Sequence, residues 1–405
     1  MKPAVLMLSA ERPYPLHGGG AYRTASLLHY FAQFADIDLI LLAEDDIPAP
    51  VPEGLLRSQT VITLPAHSKS PAARYLRNAR RALHGIPPLI DRLANLESSI
   101  SKAIAGRRYA VAIVDHFWCA PYLELIQKHA CHTVLNLHNI ESMLHRSCAK
   151  IDSPLVALGQ FRFARASQQL EKKILPRYSN ILVTSQQDAD HVRRIAPAAN
   201  TTVYPNALPW MDVPHFPLKK TIVFAGNFEY HPNIDATKFL VSEIWPKVSA
   251  KHPEFKLRLV GRGEKHIRAL LPSDDNNIEM TGPIPDTLPD VAAATVVVAP
   301  LRAGGGTRIK ILESWAANRP VVATSLAAEG LATTTGQNIL IADSAAAFAE
   351  AVCRCIEDAA LQNRLAEAGR KTFETFYSWP KAWECLLSYN VLATRPEADG
   401  YTGLN

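Results

Sequence analysis

The stretch Ala299-Pro-Leu-Arg-Ala-Gly-Gly-Gly-Thr-Arg-Ile-Lys-Ile-Leu-Glu313 joins the end of an apolar β-branched run to a triple glycine and then to a helical pattern. A strand followed by a glycine loop and a helix start can bind an anion, because glycine lets the backbone approach closely and the first helical N–H groups are free. Thr307 is the predicted N-cap of the helix. Arg308, Lys310 and Glu313 are then free either to bind a ligand or to form a solvated face with an ion pair at a spacing of three residues.

Working outward from this stretch, short apolar runs followed by helical patterns recur along the chain, which is typical of parallel βαβ construction. The predicted strands are Ala4–Leu8, Ile37–Leu42, Thr60–Leu64, Val111–Val114, Thr133–Leu137, Ile181–Thr184, Thr221–Phe224, Lys256–Val260, Ile278–Met280, Thr295–Ala299, Val321–Ala323 and Ile339–Ile341. The predicted helices are Thr24–Phe34, Gln160–Ile174, Asp235–Ser249, Thr307–Ala317 and Ala345–Thr375, the last broken in two. The proline-rich segment Tyr204–Pro217 separates two sets of strands, because proline continues neither a helix nor a central strand. We predict an α/β chain with two Rossmann-like domains whose parallel sheets face each other across a cleft.

Composition agrees with a soluble protein of two domains. The chain has 405 residues, of which 48% are hydrophobic and 20% charged, and single cores stop growing at about 250–300 residues. No apolar stretch reaches the ~20 residues of a membrane span, and no secretory signal is evident, so we expect a cytoplasmic protein. Six cysteines without a CxxC pair indicate reduced thiols. The net charge of +5 suits anionic partners, although we expect no nucleic acid among them.

Polar groups and glycines follow other predicted strands at the same edge. The run His17-Gly18-Gly19-Gly20 comes after the first strand and either offers N–H groups to a phosphate or acceptor, or is a flexible turn. It does not fit the GxGxxG pattern of nicotinamide-binding proteins. His138 and Asn139 follow the strand Thr133–Leu137, and His116 is a weaker candidate at the end of another strand. Because ligands bind at the carboxyl ends of parallel strands, we expect these groups to face the cleft.

Two further features bear on metals and membranes. The adjacent carboxylates Asp45–Asp46 and Asp274–Asp275 lie in loop-like surroundings, and we predict no metal site. The segment 74–81 carries Arg74, Arg77, Arg80 and Arg81, several of them on one helical face. That helix is either simply solvated or meets an anionic lipid surface or lipid-pyrophosphate acceptor.

Several short motifs recur through the second half of the chain: Val223-Phe-Ala-Gly226-Asn227, Pro232-Asn233, Leu259-Val-Gly261-Arg262-Gly263, Thr281-Gly282-Pro-Ile284, Gly304–Glu313, Pro320–Thr324 and Glu329–Leu331. Together they resemble retaining glycosyltransferase family 4, whose members have the GT-B fold. The likeness covers nearly the whole chain. It implies an N-terminal acceptor-side domain over residues 1–208, a donor-binding domain over 218–378, and a last helix over 379–395 that packs back on the first domain.

The resemblance also implies roles for individual residues. Glu313 would bind the ribose of a nucleotide-sugar, Ile284 would contact its base, and His138 would lie near the transferred sugar. The remaining donor-binding residues that it implies are Gly18, Gly19, Gly20, Asn139, Gly226, Asn227, Arg262, Gly304, Gly305, Gly306 and Thr307. Transfer would proceed with retention of configuration, without a metal and without a cofactor other than the nucleotide-sugar co-substrate.

Two departures from the family pattern change the expected diphosphate site. Many members carry a Glu-x7-Glu pair, but Gly305 stands eight residues before Glu313. Many also carry an arginine and a lysine after the first strand of the second domain, where this chain has Asn227 and His231. We therefore expect Arg308 and Lys310 to supply the positive charge that stabilises the leaving diphosphate.

The expected function is sugar transfer from a nucleoside-diphosphate sugar to an acceptor, either lipid-linked or small, in glycan biosynthesis. A nucleotide-sugar epimerase of the same shape is a rival, against which the apparent scarcity of carboxylates beside His138 argues. A non-catalytic nucleotide-sugar binding protein is a third possibility, favoured by Gly305 in place of glutamate.

Overall fold

The computed structural model describes residues 2–66, 68, 70–272, 275–306 and 308–393. Three sequence predictions fall outside these residues. They concern Thr307 as an N-cap and donor contact, Asp274 as a solvated carboxylate, and residues 394–395 at the end of the last helix.

The first domain is built on a parallel sheet. Within the described residues its seven strands are β1 Ala4–Ser9, β2 Asp36–Ala43, β3 Ser58–Thr63, β4 Tyr109–Asp115, β5 Ala130–Asn136, β6 Asn180–Val183 and β7 Thr201–Val203. They are arranged in the order β3-β2-β1-β4-β5-β6-β7. The order reverses between β1 and β4, which is the kind of position where ligands bind in open α/β sheets.

Helices cover both faces of this sheet. They are α1 Gly19–Ala32, α2 Pro71–His84, α3 Pro88–Arg92, α4 Glu97–Ile104, α5 Leu123–Ile126, α6 Glu141–Ala149, α7 Pro154–Ile174 and α8 Gln186–Ile195. Alternate residues of β1 enter different cores: Leu6 and Leu8 pack on one face, Val5 and Met7 on the other. A strand buried on both sides explains why its sequence is apolar without alternation.

The second domain repeats the plan. Its six strands, again within the described residues, are β8 Lys219–Ala225, β9 Lys256–Val260, β10 Ile278–Met280, β11 Ala294–Ala299, β12 Val321–Ala323 and β13 Leu340–Ile341. All pair in parallel, in the order β10-β9-β8-β11-β12-β13. The order reverses between β8 and β11, so this sheet also has a ligand-binding position between its two central strands.

The helices of the second domain depart from prediction in a few places. They are α9 His231–Phe239, α10 Trp245–Lys251, α11 Glu264–Ile267, α12 Leu288–Ala292, α13 Ile309–Ala316, α14 Ser325–Ala328, α15 Ala345–Glu357 and α16 Ala359–Phe376. The helix predicted over Asp235–Ser249 is α9 and α10 joined by a π turn at Leu240–Ile244. The break predicted in the last helical segment is confirmed at Asp358, whose carboxylate caps α16 through the Leu361 amide. Strand β7 was not predicted, because Thr201–Val203 is too short to show a period.

The chain finally crosses from the second domain to the first. Helix α17 Trp379–Trp383 and the 3₁₀ turn Glu384–Ala393 lie against the first domain, where Trp379 Nε1 donates to the Ala207 carbonyl at 3.1 Å. The expected α/β architecture is confirmed: each domain is built on a parallel sheet, and the helices that follow β1 and β11 meet between the domains, where Gly19 approaches Ile309. Among the described helices, none combines the length and apolarity that crossing a bilayer requires.

Candidate functional site

A buried carboxylate organises the first-domain side of the cleft. Asp115, the last residue of β4, is fully buried and accepts hydrogen bonds from Ser9 Oγ at 2.7 Å and Thr24 Oγ1 at 2.8 Å. It also accepts from Asn136 Nδ2 at 2.7 Å and pairs with His138 Nε2 at 2.8 Å. Burial by itself raises the pKa of Asp115, but His138 and the other hydrogen bonds outweigh it and hold the pKa well below its usual range. The ionised carboxylate therefore orients His138 with its Nε2–H toward Asp115.

Three stacked rings continue from this carboxylate. His138 stacks on His116 at a centroid distance of 3.6 Å, and His116 stacks on Trp118 at 4.2 Å. Burial lowers the pKa of His116 to about 3, so its ring is neutral. Ligand atoms of Asp115, His116 and His138 lie within 4.8 Å of one another. Stacked imidazoles, however, point their nitrogen lone pairs along nearly parallel planes, which do not converge on one ion at the ~2 Å that metal coordination requires.

Glu11 is an acidic group near this cluster that sequence reasoning missed. Its Oε2 lies 3.9 Å from His116 Nε2, an atom that has no hydrogen-bond partner among the described residues. Burial, together with the charge of Asp115, raises the pKa of Glu11 to about 7, while Arg262 of the second domain lowers it. The expected scarcity of carboxylates beside His138 was wrong, since the end of β4 supplies Asp115 and the segment after β1 supplies Glu11.

The first glycine run begins a helix rather than forming a loop. Gly18 has a φ of 88° and is the N-cap of α1, and Gly19 and Gly20 form its first turn. A Cβ on Gly19 would lie 3.1 Å from the Ile309 side chain, and one on Gly20 only 2.7 Å from the Glu11 carboxyl carbon. These glycines let the start of α1 approach the start of α13, so two helix N-termini meet across the cleft.

The triple glycine lies directly against the first domain. Gly304 N donates to Ser147 Oγ at 3.0 Å. A Cβ on Gly306, whose φ is 69°, would lie 2.5 Å from the His138 carbonyl oxygen, and one on Gly305 would lie 3.3 Å from Asn139 Cβ. The loop thus brings the start of α13 against the segment that carries His138.

Arg308 is not free for a ligand, contrary to expectation. It is the N-cap residue of α13, which begins at Ile309, and only 8% of its surface is exposed. Its guanidinium turns back and donates to the carbonyls of Gly305 and Gly306. Because both carbonyls accept from this charged group, Arg308 fixes the conformation of the loop.

Lys310 lies where a diphosphate was expected. Its half-buried Nζ donates to Asn233 Oδ1 at 3.0 Å, lies 4.3 Å from the Phe224 ring centroid, and is 3.2 Å from where a Cβ of Gly226 would be. Burial, followed by the charge of Arg308, lowers the pKa of Lys310 to about 7. An amine desolvated in this way gains more than an exposed one from an incoming anion.

Glu313, one turn further along α13, is half-buried beside Lys310. Burial raises its pKa to about 7; Lys310 acts against this, and Asp286 raises the pKa further. In the first domain, burial and then the Glu313 charge raise the pKa of Tyr22. Glu313 therefore lies at the interface between α13 and α1, where a ligand lying along α13 would pass.

The other predicted donor residues surround the carboxyl ends of β8 and β9. Gly226 N donates to the Val260 carbonyl at 2.9 Å, and Asn227 Oδ1 accepts from the Glu229 amide at 2.9 Å. Arg262 is 62% exposed and lies 3.6 Å from Glu229. Ile284 packs against the small core at this edge of the sheet. The structure brings these residues to one side of the cleft and His138, Asn139 and the α1 glycines to the other.

Comparison with known proteins supports this architecture. Residues 219–358 match the family model described as glycosyl transferases group 1. A curated relative, an uncharacterised 44.6 kDa protein in the cps region of Klebsiella pneumoniae, is 20% identical over 357 residues, which cover 85% of this chain and 89% of the relative.

Solved structures extend the similarity to both domains. Sucrose-phosphate synthase from Thermosynechococcus elongatus superposes with a TM-score of 0.76 at 18% identity, over 96% of this chain and 99% of that one. HepE from Anabaena, solved in complex with UDP and glucose, gives 0.68 at 14% identity over 97% and 100%. TarM from S. aureus gives 0.67 at 13% identity over 98% and 100%. This chain has the GT-B fold.

The matches differ in how much of the GT-B chain they cover. The family model covers most of the second domain, which holds Gly226, Arg262, Lys310 and Glu313. The first domain, with His138, lies outside the family model, and similarity there comes from the solved structures and from the 20% identical relative.

Proposed function

We propose that the protein is a glycosyltransferase that binds a nucleoside-diphosphate sugar between its two domains and transfers the sugar to an acceptor. The observation that carries this proposal is the position of Lys310: a desolvated amine at the carboxyl end of β8, beside Gly226. The family model over residues 219–358 is independent support.

The diphosphate of the donor would lie where α1 and α13 begin. Both helices exceed two turns and their first residues, Gly19 and Ile309, are in contact range. Their free N–H groups and macrodipoles favour negative charge. Lys310 would neutralise the charge that develops on the leaving diphosphate, and Arg308 would act indirectly by fixing the triglycine loop.

Glu313 and His138 would contact opposite parts of the donor. The Glu313 carboxylate would accept hydrogen bonds from the ribose hydroxyls, with Ile284 beside the base. His138, held through its Nε2 by Asp115, would direct its other ring atoms toward the transferred sugar. Gly305 removes the carboxylate that many relatives use at the sugar hydroxyls, so Asn139 and the loop amides would replace it.

UDP-glucose is the first donor to test, because HepE was solved with UDP and glucose. The finer proposals are retention of configuration, independence of a metal and a role in polysaccharide biosynthesis, the last suggested by the relative in a cps region. The anomeric configuration of the product by NMR and activity in excess chelator would check the first two.

The central experiment compares Lys310→Met with Lys220→Met. Lys220 lies near the start of β8, at the sheet edge opposite the cleft, so its replacement changes charge equally without touching the site. Loss of Lys310 should cost about 2–4 kcal/mol in the transition state, a hundredfold or more in rate, and should weaken UDP binding in calorimetry. Near-normal binding and turnover in Lys310→Met would reject the assignment.

A nucleotide-sugar epimerase is the second candidate, and Glu11 favours it. A carboxyl group with a raised pKa beside the unpartnered Nε2 of His116 could exchange protons with a sugar. Incubation with UDP-sugars in deuterated water without an acceptor discriminates the two activities: an epimerase incorporates deuterium into the sugar, whereas a transferase releases UDP when an acceptor is added. Tight UDP binding without either reaction would indicate a binding protein.

A further inference from the structure

Helix α2 is amphipathic, but its apolar face points away from the protein. Tyr75, Leu76 and Leu83 are 76%, 68% and 75% exposed. Leu76 and Leu83 are seven residues apart and lie on one stripe of the helix. Helices on the surface of soluble domains normally bury such a stripe against the core.

The basic face of α2 is the one that contacts the protein. Arg81 Nε donates to Asp91 Oδ2 at 2.7 Å, and its side chain is only 12% exposed. Arg77 donates to the Ser68 carbonyl at 2.8 Å. These contacts fix the rotation of the helix about its axis, so the outward direction of the leucines is determined by ion pairing and hydrogen bonding on the other face.

A second exposed apolar set lies at the start of α7. Leu155, Leu158 and Phe161 are 87%, 61% and 54% exposed. Helix α7 contacts α2 where Gly85, the C-cap of α2, approaches Ala166: a Cβ there would lie 3.8 Å from the alanine Cβ. The two sets therefore belong to one side of the first domain. We call the six residues Tyr75, Leu76, Leu83, Leu155, Leu158 and Phe161 the docking face.

This docking face lies close to the mouth of the cleft. Asp152, immediately before α7, pairs with His231 of the second domain at 3.1 Å. His231 begins α9, which follows the carboxyl end of β8. An acceptor that approached along the start of α7 would thus arrive beside the domain that is proposed to hold the donor.

The charge around the docking face is predominantly positive. Residues 71–90 and 154–170 contain no aspartate or glutamate, and of the carboxylates beside them Asp91 pairs with Arg80 and Arg81 and Asp152 pairs with His231. The arginines of these segments are Arg74, Arg77, Arg80, Arg81, Arg162 and Arg165. Exposed leucines and aromatic rings flanked by arginines fit the boundary between acyl chains and anionic headgroups. A second copy of the chain fits less well, because pairing would bring like charges together.

We propose that the docking face inserts into the headgroup region of a bilayer that contains anionic lipid, and that the cleft thereby meets an acceptor anchored in that bilayer. The membrane contact is inferred from the surface of α2 and α7 alone. The lipid-anchored acceptor rests on the proposed function.

Vesicle sedimentation tests the membrane contact with the full chain. Wild-type protein should bind vesicles of phosphatidylcholine with phosphatidylglycerol, and bind phosphatidylcholine alone more weakly. The Leu76→Ser/Leu83→Ser variant should lose about tenfold in partitioning for each leucine. Arg74→Gln should lose about fivefold on anionic vesicles only, and Arg80→Gln should lose less because Arg80 already pairs with Asp91; high salt should reproduce the loss in the wild type.

The matched control is Leu218→Ser/Leu387→Ser, because both leucines are 56% exposed and lie outside the docking face. This control should bind vesicles like the wild type. Absence of wild-type binding, or equal binding by the Leu76/Leu83 variant, would overturn the proposal. So would a wild-type dimer, seen by light scattering without lipid, that the Leu76/Leu83 variant abolishes. UDP binding by calorimetry reports on the proposed function separately, because it requires no membrane.

Discussion

At the scale of single residues, the Asp115 carboxylate affects both the stability of the first domain and the dependence of that stability on pH. Its carboxylate joins four segments of the chain, through Ser9, Thr24, Asn136 and His138. Asn136 in turn accepts from the buried Arg23 Nε at 2.8 Å. A buried network of this kind is stable only as a whole, because a polar group that loses its partner in a core also lacks hydration.

Replacing Asp115 by alanine should therefore destabilise the first domain by about 3–5 kcal/mol, since four donors lose their acceptor. Urea unfolding followed by fluorescence would measure the change. Asp190→Ala is the control: Asp190 is half exposed and pairs with Arg193 on the surface, so its loss should change stability by less than about 1 kcal/mol. Equal effects of the two substitutions would contradict the network.

The contribution of Asp115 should also depend on pH. Its pKa in the folded state is held below the ordinary value of 3.8, so below that pH the unfolded chain binds a proton that the folded chain does not. Stability contributed by Asp115 is thus fully present above pH 3.8 and declines as the pH falls toward the lowered folded value. The difference in unfolding free energy between wild type and Asp115→Ala should shrink on acidification.

Lys310 gives a pH dependence to ligand binding. Its pKa is lowered to about 7 by burial and then by Arg308, so at a pH of about 8 much of the free protein carries a neutral amine. Diphosphate favours the charged amine, and UDP binding should take up a proton at that pH. Calorimetry in buffers of different ionisation enthalpy would detect the uptake. Lys310→Met should abolish it while Lys220→Met retains it; uptake in both variants would assign the proton elsewhere.

At the scale of elements, the start of α13 is positioned by glycine. The triple-glycine loop can touch the His138 segment only without side chains, because a Cβ on Gly306 would lie 2.5 Å from the His138 carbonyl oxygen. Arg308 fixes the same loop by donating hydrogen bonds to the carbonyls of Gly305 and Gly306. The distance between the two sides of the cleft at this point is therefore set by backbone contact.

Gly306→Ala should push the two domains apart and weaken UDP binding. Gly336→Ala is its control, because both glycines have positive φ, 69° and 79°, while a Cβ on Gly336 would meet nothing within 4 Å. Both variants should lose about 1 kcal/mol of stability through backbone strain. Only Gly306→Ala should lose affinity in calorimetry and expand in small-angle scattering. Unchanged affinity in Gly306→Ala would argue against a donor site at this loop.

At the scale of the whole molecule, the C-terminal segment ties the domains together. It leaves the second domain at α16, and its Leu386 enters the first-domain core that also holds Phe31. Tyr389 Oη accepts from Asn180 Nδ2 at 2.8 Å. The first domain is thus completed by residues that follow the second domain in the sequence.

Adjacent leucines in this segment test that arrangement. Leu386 is fully buried, whereas Leu387 is 56% exposed. Leu386→Ala should destabilise the first domain by about 2–5 kcal/mol through the lost contacts and the cavity, and Leu387→Ala should have little effect. Calorimetric unfolding with and without UDP would separate the domains. A loss confined to the second domain would contradict the packing.

Much of the fold could be predicted from sequence, because strands and helices have local periods. Lys256–Val260 and Ile278–Met280 were predicted residue for residue, and the triple-glycine loop was correctly placed after the strand that ends at Ala299. The failures occurred where the local signal was weak or absent. The glycines of α1 suggested a loop, yet Gly19 and Gly20 are helical because the rest of α1 packs well and glycine merely lowers helix propensity.

The sequence by itself determined an α/β chain with two parallel sheets and which residues follow the strands; the linker at Tyr204–Pro217 stays a prediction. Only the tertiary structure decided what those residues contact: Arg308 turns back onto loop carbonyls, Asp115 and Glu11 approach the histidines, and the apolar face of α2 points outward. The physical reason is the distance along the sequence over which each property is encoded. Backbone periodicity is encoded over a few residues, whereas burial, pKa and hydrogen-bond partners depend on segments that are distant in the chain and meet only when both domains are folded.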